Sequence, residues 1–371
     1  MRDNLAERLL AKVMGWTPED VTRERPILQA MAAYKYDEYH QFSPGMRFVE
    51  SLALWLDQFK VAAQKRVAYD FVKTRLVFIS AAELGHLVSM AYPDFVRPHL
   101  LRQLAREKGI CAWHVGKVAG STAFKIRQRQ CLFLGLSDGA RTDIFRRYNN
   151  DAVTHEQVLL SHEISPGRVP KLIDELNKDL VPLFGGTVPP EECRFRTIVL
   201  LDDFSASGIS YLRREEDGNY KGKIWAFHAE ITDPTKPASQ LVDLSRTQIL
   251  VILYVGTDQA RRHLEKQLEE LWKPLRIDYR VILVHTLDSG ICLAPGCQDS
   301  MEPLLEGYYD REIEDEHTRK GGKDLKFGFA GCGLPVVLSH NTPNNSIYLL
   351  WAEKNALRAL FPRVQRHRKQ A

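Results

Sequence analysis

The sequence predicts an α/β fold, a mostly parallel sheet preceded by a small helical domain, and three observations carry that prediction. Beyond about residue 125 short apolar runs alternate with stretches of helical periodicity, the pattern of parallel strands joined by crossover helices. Before that point, from Met46 to Gly109, apolar residues recur at three- and four-residue steps instead. Finally, Ile198-Val199-Leu200-Leu201 runs directly into Asp202-Asp203. Four consecutive aliphatic residues suit a strand buried on both faces, and acids at its carboxyl end stand where ligands meet a parallel sheet.

The helical domain is placed at residues 1–124. Phe48, Leu52, Trp55, Leu56 and Phe59 line one helical face, and Val67, Phe71, Val72 and Leu76 continue the pattern. After the apolar run Leu76 to Ile79, Ser80 is an N-cap with Glu83 three residues on, opening a helix to about Ala91. Tyr92-Pro93-Asp94 is expected to turn the chain into a basic helix, Asp94 to Lys108, with Pro98 near its first turn, where proline is tolerated. Two short helices about a turn, the second carrying Arg97, Arg102 and Arg106, suit a helix-turn-helix contacting nucleic acid. The plainer alternative is a packing pair whose basic face meets an acidic protein.

Residues 125–371 form the α/β domain. Strands are expected at Cys131 to Leu136, Gln157 to Leu160, Arg196 to Leu201, Ile224 to Ala229, Ile249 to Val255, Arg280 to His285 and Leu334 to Leu338. Helices fall at Thr142 to Tyr148, along Val169, Leu172, Ile173, Leu176 and Leu180, and along Leu264, Leu268, Leu271 and Trp272. Asp299 to Asp324 is an acidic insertion containing Gly-Gly, expected to be mobile.

Composition bounds the function. At 371 residues, 44% hydrophobic and 26% charged, the chain has the make-up of a two-domain globular protein. It contains no apolar run long enough to span a bilayer, and Met1-Arg2-Asp3-Asn4 does not open a signal peptide, so a cytoplasmic protein without membrane contact is expected. The six cysteines lack metal-ligand spacing and read as reduced, structural thiols, with a turn rather than a bridge between Cys292 and Cys297. The net charge of +4 is uneven: Asp94 to Gln130 holds eight Lys or Arg against two acids, whereas Met301 to Glu316 holds seven acids against Arg311. A basic tail, Arg363 with Arg366 to Lys369, reads as a solvated end.

Three segments carry chemistry. Ser205-Ala206-Ser207-Gly208-Ile209-Ser210 follows the acids with small side chains and hydroxyls, suited to turning backbone amides around a phosphate at the start of the next helix, while Asp202 and Asp203 accept from vicinal hydroxyls. Ser137-Asp138-Gly139-Ala140-Arg141 turns from an earlier strand into a helix, and is equally an ordinary Ser-Asp-Gly turn. His340-Asn341-Thr342-Pro343-Asn344-Asn345 offers amides for hydrogen bonding to a base and an imidazole able to exchange a proton near neutrality; alone it reads as a Pro-anchored turn. Ser161 to Arg168 is a polar loop of lesser promise.

The segment Ile198 to Ser210 resembles the PRPP-binding signature of type I phosphoribosyltransferases, four apolar residues, two acids, an apolar residue, two variable positions and Thr-Gly-x-Thr, with Ser replacing Thr twice. The resemblance implies that Asp202 and Asp203 bind the ribose 2′- and 3′-hydroxyls and that Ser205, Ala206, Ser207, Gly208 and Ser210 hold the 5′-phosphate. It implies that Ser137, Asp138, Gly139 and Arg141 form the pyrophosphate loop, and that Mg²⁺ enters with the substrate's diphosphate and ribose. With the helical N-terminal region and the late His-Asn-Thr-Pro-Asn-Asn segment, His340, Asn344 and Asn345 included, the chain resembles the PRTase-CE group, which pairs a phosphoribosyltransferase-like domain with a winged-helix region. That resemblance implies ribosyl transfer or hydrolysis on PRPP or a nucleotide, in bacterial anti-phage systems such as retrons. The alternative is a DNA-binding regulator that senses PRPP without turnover, or a defence-complex scaffold docking through residues 94–130.

Overall fold

The computed structural model describes residues 2–322 and 324–364, so Arg366 to Lys369 of the basic tail lie outside the described residues. The chain forms two compact units, one of Met1–Glu83 with Asp288–Ala371 and one of Leu84–Leu287. These units divide the chain elsewhere than at residue 125, and the C-terminal segment belongs with the N-terminal helices.

In the first unit, helices Arg2–Met14, Pro18–Tyr34, Phe48–Asp57 and Ala62–Thr74 surround a two-stranded parallel pair, Val77–Ile79 with Val336–Leu338. Its core holds the predicted face of Phe48, Leu52, Trp55, Leu56 and Phe59 together with Leu349, Leu350, Leu360 and Phe361. Buried polar atoms of the helices are satisfied by that C-terminal segment: the Trp55 indole donates to the Leu349 carbonyl at 2.7 Å and the Ser51 hydroxyl to that of Leu360 at 2.7 Å. The expected strand at Leu334 to Leu338 therefore serves this pair and not the main sheet. The acidic segment is no loose insertion. Its Met301, Leu304 and Leu305 are core residues, and Glu302–Gly307 is a helix.

The second unit holds the main sheet. Its strands are β1 (Cys131–Gly135), β2 (Val158–Leu159), β3 (Thr197–Ser205), β4 (Gln248–Thr257) and β5 (Asp278–Leu287), all parallel, in the order β2-β1-β3-β4-β5. The chain runs outward from β1 to β2, then returns to β1's other side with β3. This reversal makes a topological switch point between β1 and β3, the position where open α/β sheets bind ligands at their carboxyl ends. Helices Val169–Phe184 and Asp258–Trp272 pack the expected leucines on one face, against Leu132, Leu134, Ile198, Leu200, Val251 and Leu253.

Two further expectations fail for identifiable reasons. Residues Lys223–Thr232 form a helix where Ile224 to Ala229 suggested a strand. Its aromatic and β-branched composition favours strands, but Ile224, Phe227, His228 and Ile231 are the buried residues, and that spacing is helical. Likewise, Tyr92-Pro93-Asp94 makes no turn: helix Ala81–Met90 continues through a π-helical segment, Ala91–Val96, into helix Arg97–Glu107. The wider π turn carries Pro93 through without the backbone donor it lacks, and Ala91, Tyr92 and Val96 stay buried. The two-helix turn of a helix-turn-helix is therefore not formed there. The start of this run is as expected, with the Ser80 hydroxyl accepting from the Glu83 amide at 3.0 Å and the Glu83 carboxylate from the Ser80 amide at 2.8 Å.

Helix Lys223–Thr232 also carries a buried imidazole. His228 Nδ1 accepts from the Trp272 indole at 3.1 Å, and burial pushes its pKa down to about 4. A folded-state value below the unfolded one gives stability that is complete above about pH 6.5 and is lost as the pH falls toward 4. Urea titrations should therefore show about 3 kcal/mol less stability at the acid end from this group. A His228→Gln variant, which keeps an acceptor but cannot titrate, is expected to lack that part of the pH dependence.

Candidate functional site at the β1/β3 switch point

β3 runs further than the apolar pattern suggested. It pairs with β4 as far as Ser205 opposite Gly256, so both acids lie inside the ladder. Successive strand side chains point to opposite faces, and the two neighbours consequently have different surroundings. Asp202 is fully buried, on the face that packs Ile198 and Leu200 into the core, whereas Asp203 is half-buried.

Asp202 is enclosed by donors. One carboxylate oxygen accepts from the Ser137 hydroxyl and, at 3.1 Å, from the Asp203 amide; the other accepts from the Tyr211 hydroxyl at 2.8 Å and the Lys223 ammonium at 2.7 Å. These bonds use about all the acceptor capacity a carboxylate has. Burial raises the Asp202 pKa, the neighbouring Asp203 charge adds to that, and Lys223 with the Ser137 hydroxyl opposes it. The Lys223 ammonium also lies 4.8 Å from the centre of the Tyr211 ring, a cation–π contact. Burial and the Asp202 charge hold the Tyr211 phenol well above its ordinary pKa, so its proton stays on.

The loop after β1 closes over the same point. Ser137 turns back to accept the Gly139 amide at 3.2 Å, and Tyr254 of β4 donates to the Ala140 carbonyl at 2.8 Å. A Cβ on Gly139 would overlap the Asp203 carboxylate, standing 2.5 Å from its carboxyl carbon, so only glycine lets the loop lie against that side chain. Arg141 has a left-handed backbone, φ 46 and ψ 45, immediately before helix Thr142–Tyr148. Such a conformation is uncommon for a residue with a side chain, and strain of this kind is concentrated at ligand-binding positions. Beyond the loop a cavity of about 470 Å³ opens between helix Thr142–Tyr148, β2 and the 160–168 segment, with Arg146, His155 and Arg168 among its walls.

The Ser205–Ser210 loop does not open a helix directly, contrary to expectation. A short hairpin, Arg213–Arg214 with Tyr220–Lys221, intervenes before helix Lys223–Thr232. The first amides of that helix are taken by the loop itself, Ile224 donating to the Tyr211 carbonyl at 2.9 Å and Lys223 to that of Ser210 at 3.4 Å. Gly222 permits this approach, since at φ +123 a Cβ there would lie 2.6 Å from the Tyr211 carbonyl carbon. The helix start thus receives carbonyls. Within the loop, Ser205 accepts from the Gly208 amide at 3.1 Å and Ser207 from the Ile209 amide at 3.4 Å. Ser205, Ala206 and Ser207 are buried, Gly208 packs on the first turns of helix Asp258–Trp272, and Ser210 is exposed.

The structure therefore brings together Ser137, Gly139, Asp202 and Asp203, with Asp138 and Arg141 in the same loop. His340, Asn344 and Asn345 belong to the other unit. There the Asn345 amide donates to the Phe329 carbonyl at 3.0 Å, the Asn344 carbonyl accepts from Phe329 at 2.7 Å, and the His340 carbonyl accepts from Gln41 at 2.9 Å. Sequence reasoning missed Lys223, Tyr211 and Tyr254. Reading residues 224–229 as a strand hid Lys223; the two tyrosines, one after a Gly-containing loop and one within an apolar strand, carried no pattern that marked them as polar partners.

Among the described residues no group of three or more His, Cys, Asp or Glu side chains is placed to hold a metal ion, and no helix is long and apolar enough to cross a membrane. All six cysteines are free thiols. No curated protein and no solved structure matches the chain. A family model described as PRTase-CE matches residues 52–363, a span that takes in both acids, the Ser137–Arg141 loop and the larger part of each unit. The chain belongs to the PRTase-CE family, and its function is phosphoribosyltransferase-like in kind.

Proposed function

We propose that the switch-point site binds the ribose and diphosphate of PRPP, or the corresponding part of a nucleotide, and transfers or hydrolyses the ribosyl group. The observation that supports this reading is the meeting of the Ser137–Arg141 loop with Asp202 and Asp203 at one edge of the sheet, through the Ser137–Asp202 hydrogen bond and the close seat of Gly139 on Asp203. The two acids divide the work. Asp203, half-buried, accepts from the ribose hydroxyls and lends negative charge beside the cationic ribosyl centre; Asp202 fixes the loop and the strand end. The Ser137–Arg141 loop meets the diphosphate, with Arg141 supplying positive charge, and the exposed Ser210 meets the 5′-phosphate through its hydroxyl. The half-buried Asp203 carboxylate, with the exposed Asp138 in the facing loop, suits a Mg²⁺ ion that arrives on the substrate, where it would neutralise the departing diphosphate. The cavity beyond the loop is large enough for a small acceptor. The family resemblance extends this reading to an effector of anti-phage defence.

The test is release of diphosphate from PRPP and Mg²⁺, with and without added nucleobases. The wild type is expected to release it, and Asp203→Asn to be slower by about 100-fold or more, since both the hydroxyl contact and the stabilising charge are lost. Saturable binding without release would instead assign the chain to the sensor class.

A further inference from the structure

We infer that the corner formed by helices Arg97–Glu107, Val115–Ala119 and Thr122–Arg129 is a binding surface for single-stranded nucleic acid, with Trp113 as its stacking platform. The inference is independent of the switch-point site. Trp113 is 90% exposed, whereas the other five tryptophans are buried or half-buried. An indole this exposed leaves its ring accessible to a stacking partner.

The turn holding it is ordered by backbone bonds. Gly109, at φ +63, ends helix Arg97–Glu107 by donating to the Arg106 carbonyl at 3.2 Å, Ile110 donates to that of Ala105 at 2.8 Å, and His114 to that of Cys111 at 2.9 Å. Trp113 is presented on a closed turn between two helices, an arrangement that limits the entropy lost on stacking.

Charge selects the partner. Two of the eight cations of this stretch are spent internally, Arg129 on Asp179 at 2.5 Å and Arg127 on Glu107 at 2.9 Å. The other six, Arg97, Arg102, Arg106, Lys108, Lys117 and Lys125, are exposed and make no ion pair among the described residues. Glu107 is already paired with Arg127, which leaves Asp94 as the other acid of residues 94–130 against these six cations. An exposed ring on the turn between helices that carry these unpaired cations matches a strand whose phosphates meet the cations while a base stacks on the indole. A duplex keeps its base faces covered and cannot use the ring.

The experiment is fluorescence anisotropy of the full chain with labelled oligothymidylate and oligouridylate of about 20 nucleotides, against a duplex of equal length, at two salt concentrations. Both single strands are expected to bind more tightly than the duplex. Trp113→Ala should weaken binding by at least about fivefold at fixed salt, while Trp113→Phe, which keeps a ring, should stay within about threefold of wild type. Arg102→Gln/Arg106→Gln should reduce the slope of log affinity against log salt by about 1.4. Equal affinity for duplex and single strand, or a Trp113→Ala variant that binds like wild type, overturns the inference. So does binding to anionic phospholipid vesicles in place of either oligonucleotide.

Discussion

Replacing Lys223 by Met is expected to lower the free energy of unfolding by about 3 kcal/mol at neutral pH, because it leaves the Asp202 carboxylate buried without its counter-ion. The loss should depend on pH in a defined direction. The Asp202 pKa is raised in the folded state, so its contribution is fully present below the ordinary carboxylate value near 3.8 and is lost as pH climbs through the folded-state value. Removing Lys223 raises that value further, and the deficit of the variant must therefore grow with pH. Urea unfolding should show a small difference from wild type at about pH 4 and the full difference at about pH 8. Pairing Lys223→Met with Asp202→Asn should recover most of the loss, since the neutral amide no longer needs the cation. Equal deficits at both pH values, with no recovery in the double variant, would show that Lys223 acts through packing alone.

Gly139→Ala is expected to separate function from folding. The residue has no positive φ, so alanine meets no backbone strain, and the lost flexibility of the unfolded chain works in its favour. Its new methyl group would nevertheless overlap the Asp203 carboxylate, 2.5 Å from the carboxyl carbon, and the short side chain must swing away. We expect PRPP affinity to fall at least about tenfold while stability changes by no more than about 1 kcal/mol, read by calorimetry and urea titration on the same preparations. Unchanged affinity would mean that Asp203 does not meet the ligand where it now sits.

Much of this site was legible because strands and turns write themselves locally. The run from Ile198 to Asp203 announced a buried strand ending in acids, and the Ser-Asp-Gly turn before Thr142 announced the opposing loop. The difference between the two adjacent acids was not legible. Strand alternation sends one inward, and that is clear only once β3 is known to continue through both. Lys223 was hidden for a related reason: Ile224 to Ala229 is rich in strand-forming residues, and tertiary packing of Ile224, Phe227, His228 and Ile231 made it a helix. The return of residues 288–371 to the N-terminal helices was beyond local reading altogether, since it depends on a parallel pairing of Val77–Ile79 with Val336–Leu338 across the whole chain.

On the proposed reading Asp203 meets the ligand and Asp202 holds the loop and strand end together. Calorimetric titration of PRPP with Mg²⁺ into wild type and Asp203→Asn separates the two roles. Saturable binding to the wild type is expected, weakened at least about tenfold in an Asp203→Asn variant whose unfolding free energy stays within about 1 kcal/mol of wild type. A wild type that binds neither PRPP nor a nucleotide, or an Asp203→Asn variant that binds as tightly, would contradict that reading.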